Sequence, residues 1–333
     1  MKVKYSTQNS RKRTDRKVGQ WIMQYAGQFA FLAILLIILS IAAPTFRTPT
    51  NLINVARQVS INMIIACAMT MVLIIGGIDL SVGAVMAMAG MVSSYMSLAG
   101  IPLLMCLLGG LVAGAISGTI NGVILANTNL PPFIVTYSVQ SVLRGMVYVI
   151  TGAGTIRLTS DAYLAFGGGS WGAVPYPVGY MIIIILFSIL LLGHSKIGRH
   201  MYAVGGNPKA AQFAGINTKK ITLYIYILSG VCAALAGMVL TSRNSSMQPA
   251  LGTGAEMDAI AAVVLGGTSM AGGRGAIAGT VLGAFIIGFI NNGLNMMRMD
   301  SFYQYIAKGI VILIAVYVDY IKNQNLLNGA KAV

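Results

Sequence analysis

The sequence predicts an all-α polytopic membrane protein of about ten transmembrane helices, with an internal two-fold repeat and both termini cytoplasmic. Three observations carry that expectation. Of 333 residues, 56% are apolar and only 9% charged, and the mean hydropathy is +0.79, whereas soluble domains carry about 25% charge. Runs near 20 residues with almost no charge recur along the whole length, each enough to cross about 30 Å of hydrocarbon as a helix. The basic residues fall mainly on one side of those runs. The short alternating segments of a transmembrane β-barrel are not seen.

The apolar segments are 22–42, 59–77, 80–98, 102–126, 131–151, 177–193, 221–242, 255–270, 275–292 and 302–321. The first follows a basic tail and reaches "SIAAP" like a signal peptide. It is longer than a signal h-region, and its basic region is too extended, so a retained helix is expected. The second and third nearly fuse, and the eighth is short. With the N-terminus cytoplasmic, fifteen Lys and Arg side chains fall inside and five outside, which sets the orientation. The organisation is then a basic tail (1–20), a transmembrane domain (21–322) with one long inner loop (194–220), and a C-terminal tail (323–333). The net charge of +15 is read as a topology determinant near anionic lipid rather than as a nucleic-acid arm.

Between the second and third segments, "LIIGGIDLSVGAV" places Asp79 among Gly76, Gly77 and Gly83. The expectation is a helix break at the inner membrane face, with Asp79 capping the following helix by accepting from the Ser81 or Val82 amide. An echo, "AVVLGGTSMAGGRG", aligns Gly266, Gly267 and Gly273 with those glycines at an offset of 190 and puts Ser269 in the place of Asp79. A weaker echo pairs "RGMVYVI" (144–150) with "KGIVILI" (308–314). Paired glycine-interrupted segments are a transporter signature.

Several chemistries have no support. No phosphate-binding G-x-x-x-x-G-K-[ST] loop and no H-E-x-x-H pattern occurs. His194 and His200 lie in the basic inner loop and read as solvated. Cys67, Cys106 and Cys232 sit in apolar stretches without C-x-x-C spacing and read as reduced packing residues. Asp79, Glu256 and Asp258 border spans near helix ends, which weakens an ion-driven secondary transporter, the alternative reading. No metal site, cofactor or catalytic set is expected in this chain.

In the long inner loop, "NPKAAQFAGI" has Asn207 as N-cap, Pro208 at the first helical position and Gly215 as terminator of a short helix. Either it receives a cytoplasmic partner or it is a capped connector on the headgroups. "AAQFAGI" resembles the coupling-loop core of permease subunits of ATP-binding-cassette importers, with Lys209 where many members have glutamate. The stretches "GGIDLSVGA", "YAVGGNPKAAQFAGIN", "QPALGTGAEMDAIAAVVLGGTSMAGGRG" and "FINNGLN" are similar to the ribose-type monosaccharide permeases. That resemblance implies a bacterial inner-membrane subunit that pairs with a second permease subunit, homotypic or heterotypic. It also implies a cytoplasmic ATPase that binds ATP and Mg, and a periplasmic sugar-binding protein. On this resemblance, Gly206, Asn207, Ala210, Ala211, Gly215 and Ile216 seat the ATPase.

For an uncharged sugar the path needs polar groups rather than a counter-ion. The polar side chains in or beside spans are Asn62, Asn121, Tyr137, Gln140, Asn291, Asn292 and Asn295. Each has the alternative of an interhelical hydrogen bond, worth about 0.6 kcal/mol. Arg144 and Lys308 either snorkel or pair with an acid such as Asp258.

Overall fold

A computed structural model describes residues 25–297 and positions 303, 306, 309, 310, 313 and 317, which are helical. The two predicted tails, Arg298, Lys308 and most of the last segment lie outside the described residues, and with them the second half of the weaker echo. In chain order the long helices are α1 (Tyr25–Ala42), α2 (Pro49–Ile74), α3 (Val82–Leu98), α4 (Leu103–Asn127) and α5 (Pro132–Thr151). After the short α6 (Asp161–Gly168) come α7 (Tyr176–His194), α8 (Lys196–Gly206), α9 (Pro208–Phe213), α10 (Thr218–Arg243), α11 (Ala255–Leu265) and α12 (Ile277–Met296). Seven of these are long and apolar enough to cross a membrane, and α3 adds a shorter apolar helix. Two antiparallel pairs of two-residue strands complete the fold, β1 (Ile156–Arg157) with β4 (Ser246–Met247) and β2 (Ser170–Trp171) with β3 (Val174–Pro175).

α2 is the central helix. From Val59 to Ile74 every side chain but Asn62 is buried, as expected of a helix apolar on all sides. α10 lies against α4 along a ladder of small residues. A Cβ at Gly114 would meet the Gly230 carbonyl, one at Gly118 the Tyr226 carbonyl, and one at Gly122 Leu223. The falling order along α10 makes the pair antiparallel, and the spacing of four keeps one face of α4 in backbone contact.

Three segments depart from the sequence expectation. α2 starts ten residues before the predicted 59, because Thr48 caps it by accepting from the Asn51 amide and Pro49 takes the first turn. Arg57 and Gln58, read as loop because they are polar, are helical and half-buried. The predicted span 255–270 is only the 11-residue α11, about 16 Å long and too short to cross. It begins at Gly254 (φ +83°). The chain ahead of it folds back into the bundle, where Arg144 Nη1 donates to the carbonyls of Pro249 (2.6 Å) and Leu251 (2.8 Å). Arg144 therefore neither snorkels nor pairs with Asp258. Finally, 196–206, taken as open loop, is α8. Ser195 Oγ caps it by accepting from the Gly198 amide (2.9 Å), and Gly198, Met201 and Val204 form its buried face.

Gly205, on the last turn of α8, packs against two other backbones. A Cβ there would overlap the Ile74 carbonyl oxygen and stand 2.6 Å from the Gly273 nitrogen, while its neighbour Gly206 has open space. Gly205→Ala is therefore expected to lower stability by about 1–3 kcal/mol, the range for overpacking. Thermal melting of the purified protein in detergent checks this, with Gly206→Ala melting like the parent.

Candidate functional site

The two glycine-rich breaks meet. α2 ends in a Schellman motif, with the amides of Gly76 and Gly77 donating to the carbonyls of Leu73 and Val72 (both 2.9 Å). α11 ends the same way, with Gly267 and Thr268 donating to Val264 (2.8 Å) and Val263 (3.2 Å). Gly76 (φ +78°) and Gly267 (φ +86°) occupy the left-handed position that this cap requires. The caps thus correspond at an offset of 191, not 190. The turns that follow correspond at 190: Asp79 Oδ1 accepts from the Ser81 amide (3.0 Å) as Ser269 Oγ accepts from that of Ala271 (3.3 Å). The second break carries one residue fewer between its cap and its turn. Gly266 has helical φ (−67°) and packs on Gly279. Gly273 (φ +73°) joins the breaks by donating its amide to Ile74 O (2.9 Å). Gly83 lies inside α3, where a Cβ would strike the Gly252 carbonyl and Glu256 Oε2; it serves close approach and not the break.

Asp79 is not the expected cap of α3: Ser81 is the N-cap, no side chain caps that helix, and the Ser81 amide bond closes only a local turn. Only 1% of Asp79 is exposed, because its carboxylate turns inward to α10 and α4. Oδ1 also accepts from Ser81 Oγ (2.6 Å), and Oδ2 accepts from Ser229 Oγ of α10 (2.7 Å). Asn121 Nδ2 of α4 donates to Ser81 Oγ (2.8 Å). Asn121 therefore belongs to this network. Neighbouring side chains take up the rest of the break. Thr136 Oγ1 accepts from the Leu80 amide (3.1 Å), and the Tyr226 hydroxyl donates to Ile78 O (3.3 Å). At the second break Gln28 Nε2 donates to Leu265 O (3.4 Å) and the Tyr202 hydroxyl to Gly275 O (2.8 Å). Burial, and secondarily Tyr25, raises the Tyr202 pKa, so the phenol stays a neutral donor.

Beyond the breaks, a cavity of about 400 Å³ opens among α2, α10, α11 and α12. Asn62, Asn291 and Asn295 line it together with Arg243, Asp258 and Thr253. Gln58 and Asn244 add two more amides, and Ile61, Met86 and Leu240 form aliphatic wall. Asn291 is buried and donates Nδ2 to Asp258 Oδ2 (3.1 Å). The other path candidates lie elsewhere. Asn292 and Asn51 exchange amide hydrogen bonds (2.9 and 3.1 Å) between α12 and α2. Tyr137, 59% exposed, and the half-exposed Gln140 lie on the outer side of α5.

At the end of the molecule that carries α8, α9 is defined at both termini. Asn207 Oδ1 accepts from the Ala210 amide (3.0 Å), with Pro208 in the first turn. Gly215 (φ +82°) closes the helix, and the Ile216 amide donates to Ala211 O (3.0 Å). Ala211 is buried and Ile216 packs on the core, while Phe213 is 92% exposed. Asn217 then caps α10 by accepting from the Lys220 amide (3.0 Å). The sequence showed the caps of α9, but not Asn217 of α10 or Ser195 of α8, which stands between a histidine and a lysine.

Comparison with known proteins adds an independent finding. Residues 51–316 match the family model described as branched-chain amino acid transport system / permease component. The chain is 45% identical over 300 residues to the ribose import permease protein of Bacillus subtilis, covering 90% of this chain and 93% of that protein. It is 44% identical to the ribose import permease protein of Escherichia coli K12, covering 90% and 94%. It is 39% identical to the D-allose transport system permease protein of the same strain, covering 88% and 90%. No solved structure matches it.

The Asp79 network makes a testable demand. Asp79→Leu leaves the Ser81 and Ser229 hydroxyls facing a methyl, at about 1–3 kcal/mol per unsatisfied buried group. Thermal melting in detergent should place Asp79→Leu well below the parent, with Asp79→Asn between them because it keeps one acceptor oxygen.

Proposed function

The chain belongs to the family of branched-chain amino acid transport system permease components, and from that premise we propose that it forms the membrane path for a monosaccharide. It is the permease subunit of an ATP-binding-cassette sugar importer and not an enzyme; in such systems a separate ATPase subunit binds the nucleotide. The ribose and D-allose permeases to which it is similar support a sugar cargo over a branched-chain amino acid. The observation that carries the path is the cavity where Asn62, Asn291 and Asn295 converge. Its amides offer both donors and acceptors to hydroxyl groups, and the one arginine and one aspartate cancel in formal charge. An ion-coupled secondary transporter is not favoured by the family.

In this reading the protein lies in the bacterial inner membrane with α8 and α9 on the cytoplasmic side, the orientation that leaves most lysines and arginines inside. Of the ten spans, the eighth and ninth become the half-helix α11 and the full-length α12. The ATPase docks on α9 through Gly206, Asn207, Ala210, Ala211, Gly215 and Ile216, with the exposed Phe213 as its apolar anchor. A second permease subunit covers the outer face of α5 with Tyr137 and Gln140, and a periplasmic binding protein delivers the sugar to the opposite end. Gly76, Gly77, Asp79, Gly83, Gly266, Gly267, Ser269 and Gly273 position the inner ends of the path helices.

Two variants test the reading in vesicles reconstituted with the ATPase and the binding protein. Phe213→Asp should reduce sugar-stimulated ATP hydrolysis and ATPase co-purification by about tenfold, the scale of a lost interface anchor. Asn62→Leu should reduce sugar uptake while leaving ATPase association intact. Unchanged uptake in both variants would overturn the assignment.

A further inference from the structure

We propose that the cavity among α2, α10, α11 and α12 is an equilibrium binding site for one neutral polyol, a monosaccharide, held within a single subunit. The inference rests on the permease reading and goes beyond it. A path must only let the solute pass, whereas this cavity has the hydrogen-bonding groups of a site that retains it.

The first ground is a set of polar groups with no partner. Asn291 is 97% buried, and its Nδ2 is committed to Asp258. Its Oδ1 is buried with no hydrogen-bond partner. An unsatisfied buried acceptor costs about 1–3 kcal/mol, and a ligand O–H would remove that cost. The pairing with Asp258 sets the amide orientation, because the reversed amide would turn its carbonyl on the carboxylate. Gln58 and Asn62 line the same space, and among the described residues neither side chain makes a hydrogen bond. Arg243 also lines it, and Arg57 precedes the lining Gln58 on α2. Arg57 Nε is buried without a partner. Among the described residues neither arginine is in an ion pair. Guanidinium and amide donors thus face amide and carboxylate acceptors across one space.

The second ground is charge and size. Arg243 and Asp258 are the charged residues among the lining, one of each sign, so the lining itself carries no excess charge that would call for an ionic solute. The volume, about 400 Å³, lies within the roughly 300–1,000 Å³ of small-molecule sites. Thr253 and Ala255, on either side of the α11 N-cap Gly254, complete the lining. Among the described residues no aromatic ring lines the cavity, so hydroxyl pattern rather than ring stacking decides affinity, and aldopentoses and aldohexoses should compete for one site.

The test is equilibrium binding of radiolabelled D-ribose to the full-length chain in lipid nanodiscs, without ATPase or binding protein. Saturable binding at one sugar per chain is expected, displaced by D-allose and L-arabinose and not by L-leucine or ribose 5-phosphate. Asn291→Leu and Asn62→Leu should each weaken it about tenfold or more, and Ser138→Ala on the outer face of α5 should not. Asn62 makes no hydrogen bond among the described residues, so its variant keeps the test valid if Asn291→Leu fails to fold. Absence of saturable binding up to millimolar sugar, or unaltered affinity in Asn62→Leu, would overturn the site. If the complete importer still carries ribose in that case, the permease reading stands and only the site falls. Displacement by L-leucine, with leucine uptake by the complete importer, would overturn both.

Discussion

Hydrocarbon supplies no hydrogen bonds to an interrupted helix, so every break in a span must be satisfied from within the protein. The rest of this structure depends on that constraint. α2 and the short α11 both end at glycine-rich breaks, and their Schellman caps satisfy only the last carbonyls. The residues beyond are paired by Thr136, Tyr226, Tyr202 and Gln28, and by the two breaks themselves through Gly273 N and Ile74 O. The re-entrant chain before α11 depends in the same way on Arg144. These polar side chains belong to distant parts of the sequence, and each holds a piece of irregular backbone in place. Asp79 does the same between α3, α10 and α4 through Ser81, Ser229 and Asn121.

The consequence is a mechanical continuity from the surface of the molecule to its interior. α9 is capped at both ends and joined to α8, whose last turn presses Gly205 against Ile74 and Gly273. The single residue Asn207 joins α9 to α8, and α8 in turn touches both breaks through Gly205. Close packing of this kind transmits strain because it leaves no free volume to absorb it. The breaks in turn end the helices whose other portions line the cavity, α2 and α11, and begin α12.

Much of this was legible in the residues. Asn207, Pro208 and Gly215 delimit α9 because capping chemistry is local. Gly76 and Gly267 mark the breaks for the same reason. The polar side chains were harder to place. Asn62, Asn121, Asn291 and Asn292 look equivalent in the sequence, yet one faces a cavity, one joins the Asp79 network, one does both kinds of work with Asp258, and one pairs with Asn51. Nothing within a few residues of each distinguishes them, because their partners lie 33 to 241 positions away or, for Asn62, in none of the described residues. α8 escaped notice because its apolar face is narrow and basic residues interrupt it. α11 was read as a span because hydropathy measures length of apolar run and not where the helix begins.

The sequence by itself determined the membrane class, the places where helices break, the capped helix that begins at Pro208 and the permease family. Each of these follows from composition, local backbone chemistry or motif. Only the tertiary structure decided that the two breaks touch, that the offset between them shifts by one residue from cap to turn, and which asparagines share a cavity. Those are properties of contacts between segments far apart in the chain, and in a bundle of similar apolar helices the hydrophobic pattern alone does not choose among neighbours. Small residues and buried hydrogen bonds do.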